Sequence, residues 1–184
     1  MTEVALAPDT TPQPPAMIVQ LLQKLAVPFQ VRQEQADLNP AQRVQAVLLE
    51  DELGALLALF PQSQLLDLSR LAELTGRKLV AVKPERLQRM LSKHQLALLP
   101  GLPALTSSPC LYEERLLQEP LLLIESGQAG VLLEIPSDAF KGLLSKASTA
   151  RFGEPLKLIQ PNLDRPHDDR AEITQAVQAF TARR

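Results

Sequence analysis

The stretch "RVQAVLLEDELGALLALF", Arg43 to Phe60, decides the fold of this chain. Two apolar runs flank a short acidic turn, Glu50-Asp51-Glu52, and Gly54 lies just beyond it. Apolar runs joined by a short polar turn with glycine are typical of a β-hairpin. We therefore predict paired antiparallel strands near residues 44–50 and 55–60. The first run has no ionisable side chain between its ends, so it is either a core strand or a catalytic strand that lacks its catalytic group.

Composition restricts the classes of function. The chain has 184 residues, of which 45 % are apolar and 22 % charged, as expected of one folded domain with or without an appendage. The formal net charge of −2 gives the chain as a whole no electrostatic reason to bind nucleic acid. Five Phe, one Tyr and no Trp argue against a base-stacking platform. No apolar stretch approaches the roughly 20 residues that span a bilayer, and the N-terminus lacks a basic signal region, so we expect a cytoplasmic protein without a membrane segment.

The order of elements predicts an α+β fold with a mixed, largely antiparallel curved sheet and surrounding helices, because strands and helices do not alternate regularly. We divide the chain into a flexible tail (1–15), a domain (16–150), and a linker with a C-terminal amphipathic helix (151–184). The first predicted helix runs from Ala16 to Leu25, and the second is capped by Asp67 or Ser69 and closed by Gly76. A third helix starts at Pro84, and a fourth runs from Pro136 to about Lys146 with Ser137 as its N-cap. A short helical turn is predicted from Pro40, capped by Asn39. Further predicted strands are 29–32, 78–82, 109–112, 121–125 and 131–135, with a Pro- and Gly-containing loop at 96–109 and a helical turn at 113–117.

The C-terminal segment follows a polar linker at 165–170. Ile173, Ala176, Val177 and Phe180 share one face of the predicted helix. We expect that face to rest on its own domain, on a second copy of the chain in an oligomer, or on a downstream domain.

The residues by themselves point to little chemistry. Phosphate-loop, dinucleotide-binding and zinc-protease motifs are absent from the sequence, and Cys110 is the sole cysteine. We interpret Cys110 as a small buried hydrophobe rather than a nucleophile, and His94 and His167 as surface residues. We predict no metal site and no cofactor.

Two charged groups leave alternatives open. Five cations occur in "GRKLVAVKPERLQR": Arg77, Lys78, Lys83, Arg86 and Arg89. They are either solvated ends of helices and strands or a phosphate-facing patch. The pair Glu113-Glu114 is either a helix cap or an acid/base pair.

The order of segments resembles the YbaK/prolyl-tRNA-synthetase-associated family of aminoacyl-tRNA deacylases. The likeness runs from about Met17 to Ala147 and is carried by "LAVPFQV", "RVQAVLLE", "LDLSRLAELTGRKLVAVKPERLQRML", "PCLYEERLL" and "EPLLLIESGQAGVLLEIPSDAFKGLL". Its strongest piece is the segment 125–138. The resemblance implies an editing fold and, as activity, hydrolysis of the ester that joins a wrong amino acid to the tRNA 3′ end.

The resemblance also implies a site, from which this sequence departs. The lysine that the family places in the strand matching "RVQAVLLE" falls at Ala46, and the threonine after it falls at Val47. The family's Gly-x-Ser-Pro-x-Gly loop matches Pro100 to Leu105, which keeps Pro103 but neither glycine at its family position nor the serine. The family aspartate falls at Glu113. The candidate pocket implied by the resemblance comprises Phe29, Ala46, Val47, Gly101, Pro103, Glu113, Ser126 and Gly127, and no catalytic residue is assigned.

These departures favour a catalytically degenerate, deacylase-like domain that acts as a ligand-sensing or protein-interaction module with a regulatory role in signalling. Its expected partners are a tRNA 3′ end or a small amino-acid-like ligand, and a downstream signalling domain of the kind found in bacterial proteins that continue into an HDOD domain. The alternative is an active aminoacyl-tRNA deacylase supported by Glu113 or by the region of Lys78 and Lys83. A third hypothesis is a dimerisation module acting through the C-terminal helix.

Overall fold

A computed structural model describes residues 11–155 of the chain. Within that range it contains four α-helices and ten β-strands. The helices are α1 (Ala16–Lys24), α2 (Leu68–Thr75), α3 (Pro84–Lys93) and α4 (Ser137–Leu143). The strands are β1 (Gln30–Gln33), β2 (Arg43–Asp51), β3 (Gly54–Pro61), β4 (Gln64–Leu66), β5 (Val80–Ala81), β6 (Cys110–Glu113), β7 (Leu121–Glu125), β8 (Val131–Pro136), β9 (Ser148–Ala150) and β10 (Gly153–Pro155). The fold is α+β, as predicted.

The predicted hairpin organises the sheet. β2 and β3 pair antiparallel along their whole length, from Val44 opposite Pro61 to Asp51 opposite Gly54. The sheet runs in the order β1-β8-β7-β2-β3-β6-β9, and β5 pairs separately with β2. Four strand pairs of this sheet are antiparallel, whereas β2–β7, β3–β6 and β6–β9 are parallel, and β4 and β10 form a separate two-stranded antiparallel sheet. The sheet is therefore mixed and largely antiparallel.

Two core clusters lie on opposite faces of the sheet. The first core cluster includes Ile18, Leu22, Val44, Leu48, Leu57, Leu59, Ile124, Leu133 and Phe140. The second core cluster comprises Leu49, Leu56, Ala58, Phe60, Leu71, Leu79, Leu111 and Phe152. Because side chains alternate along a strand, β2 and β3 contribute to both clusters and hold the two together.

Helix boundaries follow the local sequence signals with two exceptions. Asp67 caps α2 by accepting a hydrogen bond from the Arg70 amide at 3.0 Å, and Gly76 closes it in a left-handed conformation. The prediction that Ser137 caps α4 was wrong: Pro136 occupies the cap position and Ser137 is the first helical residue. Asn39 accepts from the Ala41 amide at 3.0 Å within a turn, and no helix follows it. The asparagine side chain satisfies a turn by itself, without helix formation.

The short strands β4, β9 and β10 were not predicted. β9 pairs with β6, and β10 pairs with β4. Phe152, just before β10, is fully buried and meets the Phe60 ring edge-on, with centroids 6.3 Å apart. The hydrophobic core therefore extends beyond Ala150, the predicted last residue of the domain. The predicted linker at 165–170 and the predicted helix carrying Ile173, Ala176, Val177 and Phe180 lie outside the described residues.

Candidate functional site

Ala46 lies in the middle of β2, between the points where two different strands pair with the same edge of β2. On the side of β2 away from β3, β7 pairs with Arg43 and Val44, and β5 pairs with Leu49 and Glu50. Residues 45–48 pair with neither strand on that side, within the described range. Ala46 is half-buried there against the first core cluster, to which half-buried Phe29 also packs. Val47 points to the other face and packs against the second core cluster.

The loop matching the family's glycine- and serine-containing segment is folded into the core. A Cβ atom added at Gly101 would lie 3.3 Å from both Ile124 Cγ2 and Val44 Cγ1, so the glycine sits tightly on β2 and β7. The next residue, Leu102, retains only 1 % of its exposure. Small residues in this loop would let backbone N–H groups approach a ligand, whereas a buried leucine fills space.

Ser126 and Gly127 form a turn that receives this loop. Gly127 has φ +97°, and a Cβ there would lie 2.7 Å from Leu96 Cδ2. Its carbonyl accepts a hydrogen bond from the Ala97 amide at 2.8 Å. Ser126 is fully buried, and its hydroxyl accepts from the Gln128 amide at 3.1 Å. The serine hydroxyl thus stabilises its own turn.

Glu113 lies on the opposite face from Ala46 and is fully buried. Its carboxylate accepts from the backbone amides of Phe152 at 2.8 Å and Gly153 at 2.7 Å, and from Arg115 Nε at 2.8 Å. Burial raises the pKa of Glu113, but the hydrogen bonds from Arg115, Gly153 and Phe152 outweigh it and hold the pKa below its ordinary value. The carboxylate therefore anchors the chain before β10, and of the two readings of Glu113-Glu114 the cap is favoured, since Glu113 is the cap residue of the turn at 114–118.

A second carboxylate, at partly buried Glu125, was not singled out for chemistry in the sequence. Arg43 forms an ion pair with Glu34 and lies 3.8 Å from Glu125 Oε2. Glu125 Oε1 is buried and has no hydrogen-bond partner. Burial raises the pKa of Glu125 to about 7, Arg43 opposes this and Glu34 adds to it. The signal available in the sequence was only its place at the end of an apolar strand beside Ser126-Gly127.

The five cations singled out in the sequence differ in their surroundings. Arg77 donates to Asp51 Oδ2 through Nε at 2.8 Å and to Asp51 Oδ1 through Nη2 at 2.6 Å. Arg86 pairs with Glu50. Lys78, Lys83 and Arg89 are exposed. Two of the five charges are thus compensated at the acidic end of the hairpin.

Ala46 lines none of three surface cavities that are formed by residues of the described range. Two adjoin α3: one includes Arg89 and Lys93, and the other includes Met90, His94 and Leu99. The third, of about 510 Å³, lies between the 103–108 loop and the end of α4. Pro103 lines the third cavity, and the other seven predicted pocket residues line none of the three.

Cys110 lines the third cavity and retains 7 % of its exposure. Burial raises the pKa of its thiol to about 12, so the thiol stays protonated at neutral pH. This agrees with its interpretation as a small hydrophobe.

A family model described as the aminoacyl-tRNA editing domain matches residues 29–143, more than half of the chain. This chain belongs to the aminoacyl-tRNA editing domain family. The matched segment spans the strand that carries Ala46, the 96–109 loop and the Ser126-Gly127 turn. The resemblance read from the order of segments is thereby confirmed.

Similar solved structures include two informative relatives of the editing domain. A candidate signal transduction protein from Marinobacter aquaeolei VT8 is 28 % identical with a TM-score of 0.74; the match covers 90 % of this chain and 36 % of that protein, so this chain spans about a third of its length. A candidate trans-editing enzyme for prolyl-tRNA synthetase is 22 % identical with a TM-score of 0.63, and the match covers 78 % of this chain and 99 % of that one. The second likeness concerns the fold alone. No match was found among the curated proteins.

Two features are absent from residues 11–155, the part of the chain that the structure describes. No helix there is long and apolar enough to cross a membrane. No group of three or more His, Cys, Asp or Glu side chains in that range could hold a metal ion.

Proposed function

We propose that this editing domain is catalytically degenerate and serves as a ligand-sensing or protein-interaction module in regulation. The observation that carries the proposal is Ala46, half-buried and apolar at the position where the family resemblance implies a lysine. Alanine offers neither a charge nor a hydrogen-bond donor to a reacting ester. Loss of one positioned electrostatic group typically lowers a rate by about 10²–10³.

Two further features support the loss of activity. Leu102 is buried within the loop that would have to present backbone donors to a developing oxyanion. The Glu113 carboxylate, at the family's aspartate position, is saturated by hydrogen bonds from its own chain. A group held in this way has no capacity left to orient a substrate or a water molecule.

The alternative, an active aminoacyl-tRNA deacylase, would need a cation from elsewhere. Lys78 and Lys83 flank β5, which pairs with β2, the strand that carries Ala46, but both side chains are exposed. Family membership alone favours this alternative, and the geometry of the lysines does not.

A regulatory role is supported by the Marinobacter aquaeolei relative, whose description is signal transduction and whose chain is much longer than the matched region. In this proposal the editing fold supplies binding, and a downstream signalling domain, of HDOD type by analogy, supplies output. A module derived from aminoacyl-tRNA editing would act in the cytoplasm, on a tRNA 3′ end or on a small amino-acid-like ligand. Pairing through the predicted C-terminal helix remains part of the proposal.

A single-turnover assay tests the proposal. Mischarged alanyl-, cysteinyl- and prolyl-tRNA are incubated with excess protein, and ester loss is measured against spontaneous hydrolysis. We expect equal rates, because the site lacks its cation. Rates well above the spontaneous value would overturn the proposal and establish the deacylase alternative.

The variant Ala46→Lys sharpens the assay, with Ala46→Met as a matched control of similar length and no charge. A gain of deacylation in the lysine variant alone would support a site lost through this position. Both side chains add volume to a half-buried position, so each should lower stability by about 1–3 kcal/mol. Melting curves of the two variants establish that the comparison is made between folded proteins.

A further inference from the structure

The cavity beside α4 has the make-up of a small-molecule site. Its apolar lining residues, which we call the floor, include Cys110, Leu143 and Pro103. The volume of the cavity is about 510 Å³. Ligand sites are commonly concave, of about 300–1,000 Å³, and mostly apolar with a few convergent polar groups. The cavity fits that description in size and in the character of its floor.

Four polar side chains stand at its wall: Ser107, Ser108, Ser145 and Lys146. None of the four is hydrogen-bonded or ion-paired to another residue within the described part of the chain. The two pairs come from different elements, the 103–108 loop and the turn after α4, which face each other across the cavity. Their donors are therefore available to a bound molecule.

The charge of the wall selects the ligand. Lys146 is its sole charged residue within the described range, and no acidic side chain lines the cavity. Burial keeps the Cys110 thiol protonated, so the floor adds no negative charge. An oxyanion at the serine and lysine side would meet a cation and hydroxyl donors, while an aliphatic body would cover the floor.

The backbone at this wall is also unusual. Ser107 has φ +40°, a left-handed conformation that non-glycine residues adopt at a cost. The same loop begins with Gly101 and Leu102, which pack on the side of the sheet that carries Ala46. A molecule in the cavity would thus contact the loop whose other end packs against β2, the strand that carries Ala46.

We propose that this cavity binds a small amphipathic anion, with a carboxylate or phosphate head held by Lys146 and the serine hydroxyls and an aliphatic body on the apolar floor. This inference rests on the proposed binding role of the module and names the class of ligand. Of the eight pocket residues that the family resemblance implies, this site includes only Pro103.

The test uses the full chain and three probes that share one aliphatic body: hexanoate, hexyl phosphate and hexanol. Binding is followed by amide chemical shifts and by calorimetry. We expect the anions to shift amides of residues 103–108 and 142–147 and hexanol to bind more weakly. Added salt should weaken the anions alone. Preference for one anionic head over the other identifies carboxylate or phosphate as the natural head group and supports the site.

Variants separate the two parts of the site. Lys146→Gln should weaken the anions roughly two- to fivefold, as expected of an exposed charge, and leave hexanol unchanged. Lys141→Gln, an exposed lysine in α4 and outside the cavity wall, is the matched control and should change nothing. Ala104→Phe, at an exposed position on the wall, should block all three probes.

Absence of shifts in both residue ranges would overturn the proposal, as would equal binding of hexanol and the anions together with no effect of Lys146→Gln. Deacylation measured on the same preparations reports on the proposed function separately. A protein with neither binding nor deacylation overturns this inference alone, whereas deacylation with intact binding overturns only the loss of catalysis.

Discussion

Glu113 ends β6 and Glu125 ends β7 of the same sheet, and the two carboxylates have opposite surroundings, the first fully buried and the second partly buried. The first accepts hydrogen bonds from two backbone amides and an arginine, and its pKa lies below the ordinary value. The second has one oxygen without a partner and an arginine shared with Glu34, and its pKa is raised to about 7. The Glu113 carboxylate, at the family's aspartate position, is thus a structural anchor. The carboxylate with an oxygen free to accept a further hydrogen bond is that of Glu125.

The comparison shows that a match to a family motif predicts the type of residue at a position but not the burial or the hydrogen bonds of its side chain. Burial costs a carboxylate solvation, and the outcome depends on how many donors the fold supplies in return. Around Glu113 the chain returns after β9 to supply two amides. Around Glu125 the donors among the described residues are only the Arg43 guanidinium, which is shared with Glu34, and the backbone amide of Ser126.

The largest expected effect comes from breaking the anchor. Glu113→Gln replaces an acceptor-only group by an amide whose NH₂ faces other donors, and it leaves Arg115 without its partner. Removing one member of a buried pair typically costs about 3–5 kcal/mol. We expect a loss of that size in the free energy of unfolding, measured by urea denaturation.

The neighbour Glu114 provides the control, since its pair with Arg151 is exposed. Glu114→Gln should cost at most about 1 kcal/mol. Equal losses in the two variants would contradict the anchoring role and return Glu113 to the set of groups available for chemistry.

A smaller, pH-dependent effect is expected at Glu125. The pKa near 7 exceeds the ordinary 4.5, so the folded state holds this proton more tightly than the unfolded chain does. Stability from this group is present below pH 4.5 and is lost as pH rises to 7. Glu125→Gln removes that loss, so the variant should exceed the wild type by roughly 1–2 kcal/mol at pH 8, after discounting for solvent screening, and by little at pH 4.

Melting temperatures of the Glu125→Gln variant and the wild type across pH 4–8 test the sign. Glu73→Gln, an exposed carboxylate on α2, is the control and should give parallel curves. A stability advantage of the Gln variant that grows toward acid pH would refute the raised pKa.

The smallest effect is expected at the acidic end of the hairpin, where Asp51 pairs with Arg77. Hydrogen bonds from Arg77 lower the pKa of Asp51 to about 2 from 3.8. A depressed carboxyl pKa stabilises the fold above pH 3.8, and that contribution is lost as pH falls to 2. Asp51→Asn should therefore lower the melting temperature slightly at pH 7. It should also remove the part of the fall in melting temperature below pH 4 that is due to this pair. An unchanged decline below pH 4 would show that the pair contributes nothing.

The sequence by itself determined the local elements of this protein. Apolar runs around an acidic turn were enough for the β2–β3 hairpin, and Asp67 and Gly76 were enough for both ends of α2, because turns and caps depend on residues close together in the chain. The order of such segments also carried the family, which the match over residues 29–143 confirms.

Only the tertiary structure decided how those elements meet. It separated Ala46 from Val47 and Glu113 on opposite faces of the sheet, brought Phe152 and Gly153 back to Glu113, and left Glu125 under-bonded. The strands β4, β9 and β10 have only three residues each and exist because distant partners pair with them. Periodicity records which side of an element is apolar, whereas burial and hydrogen bonding of a carboxylate depend on residues far away in the chain, which no local pattern encodes.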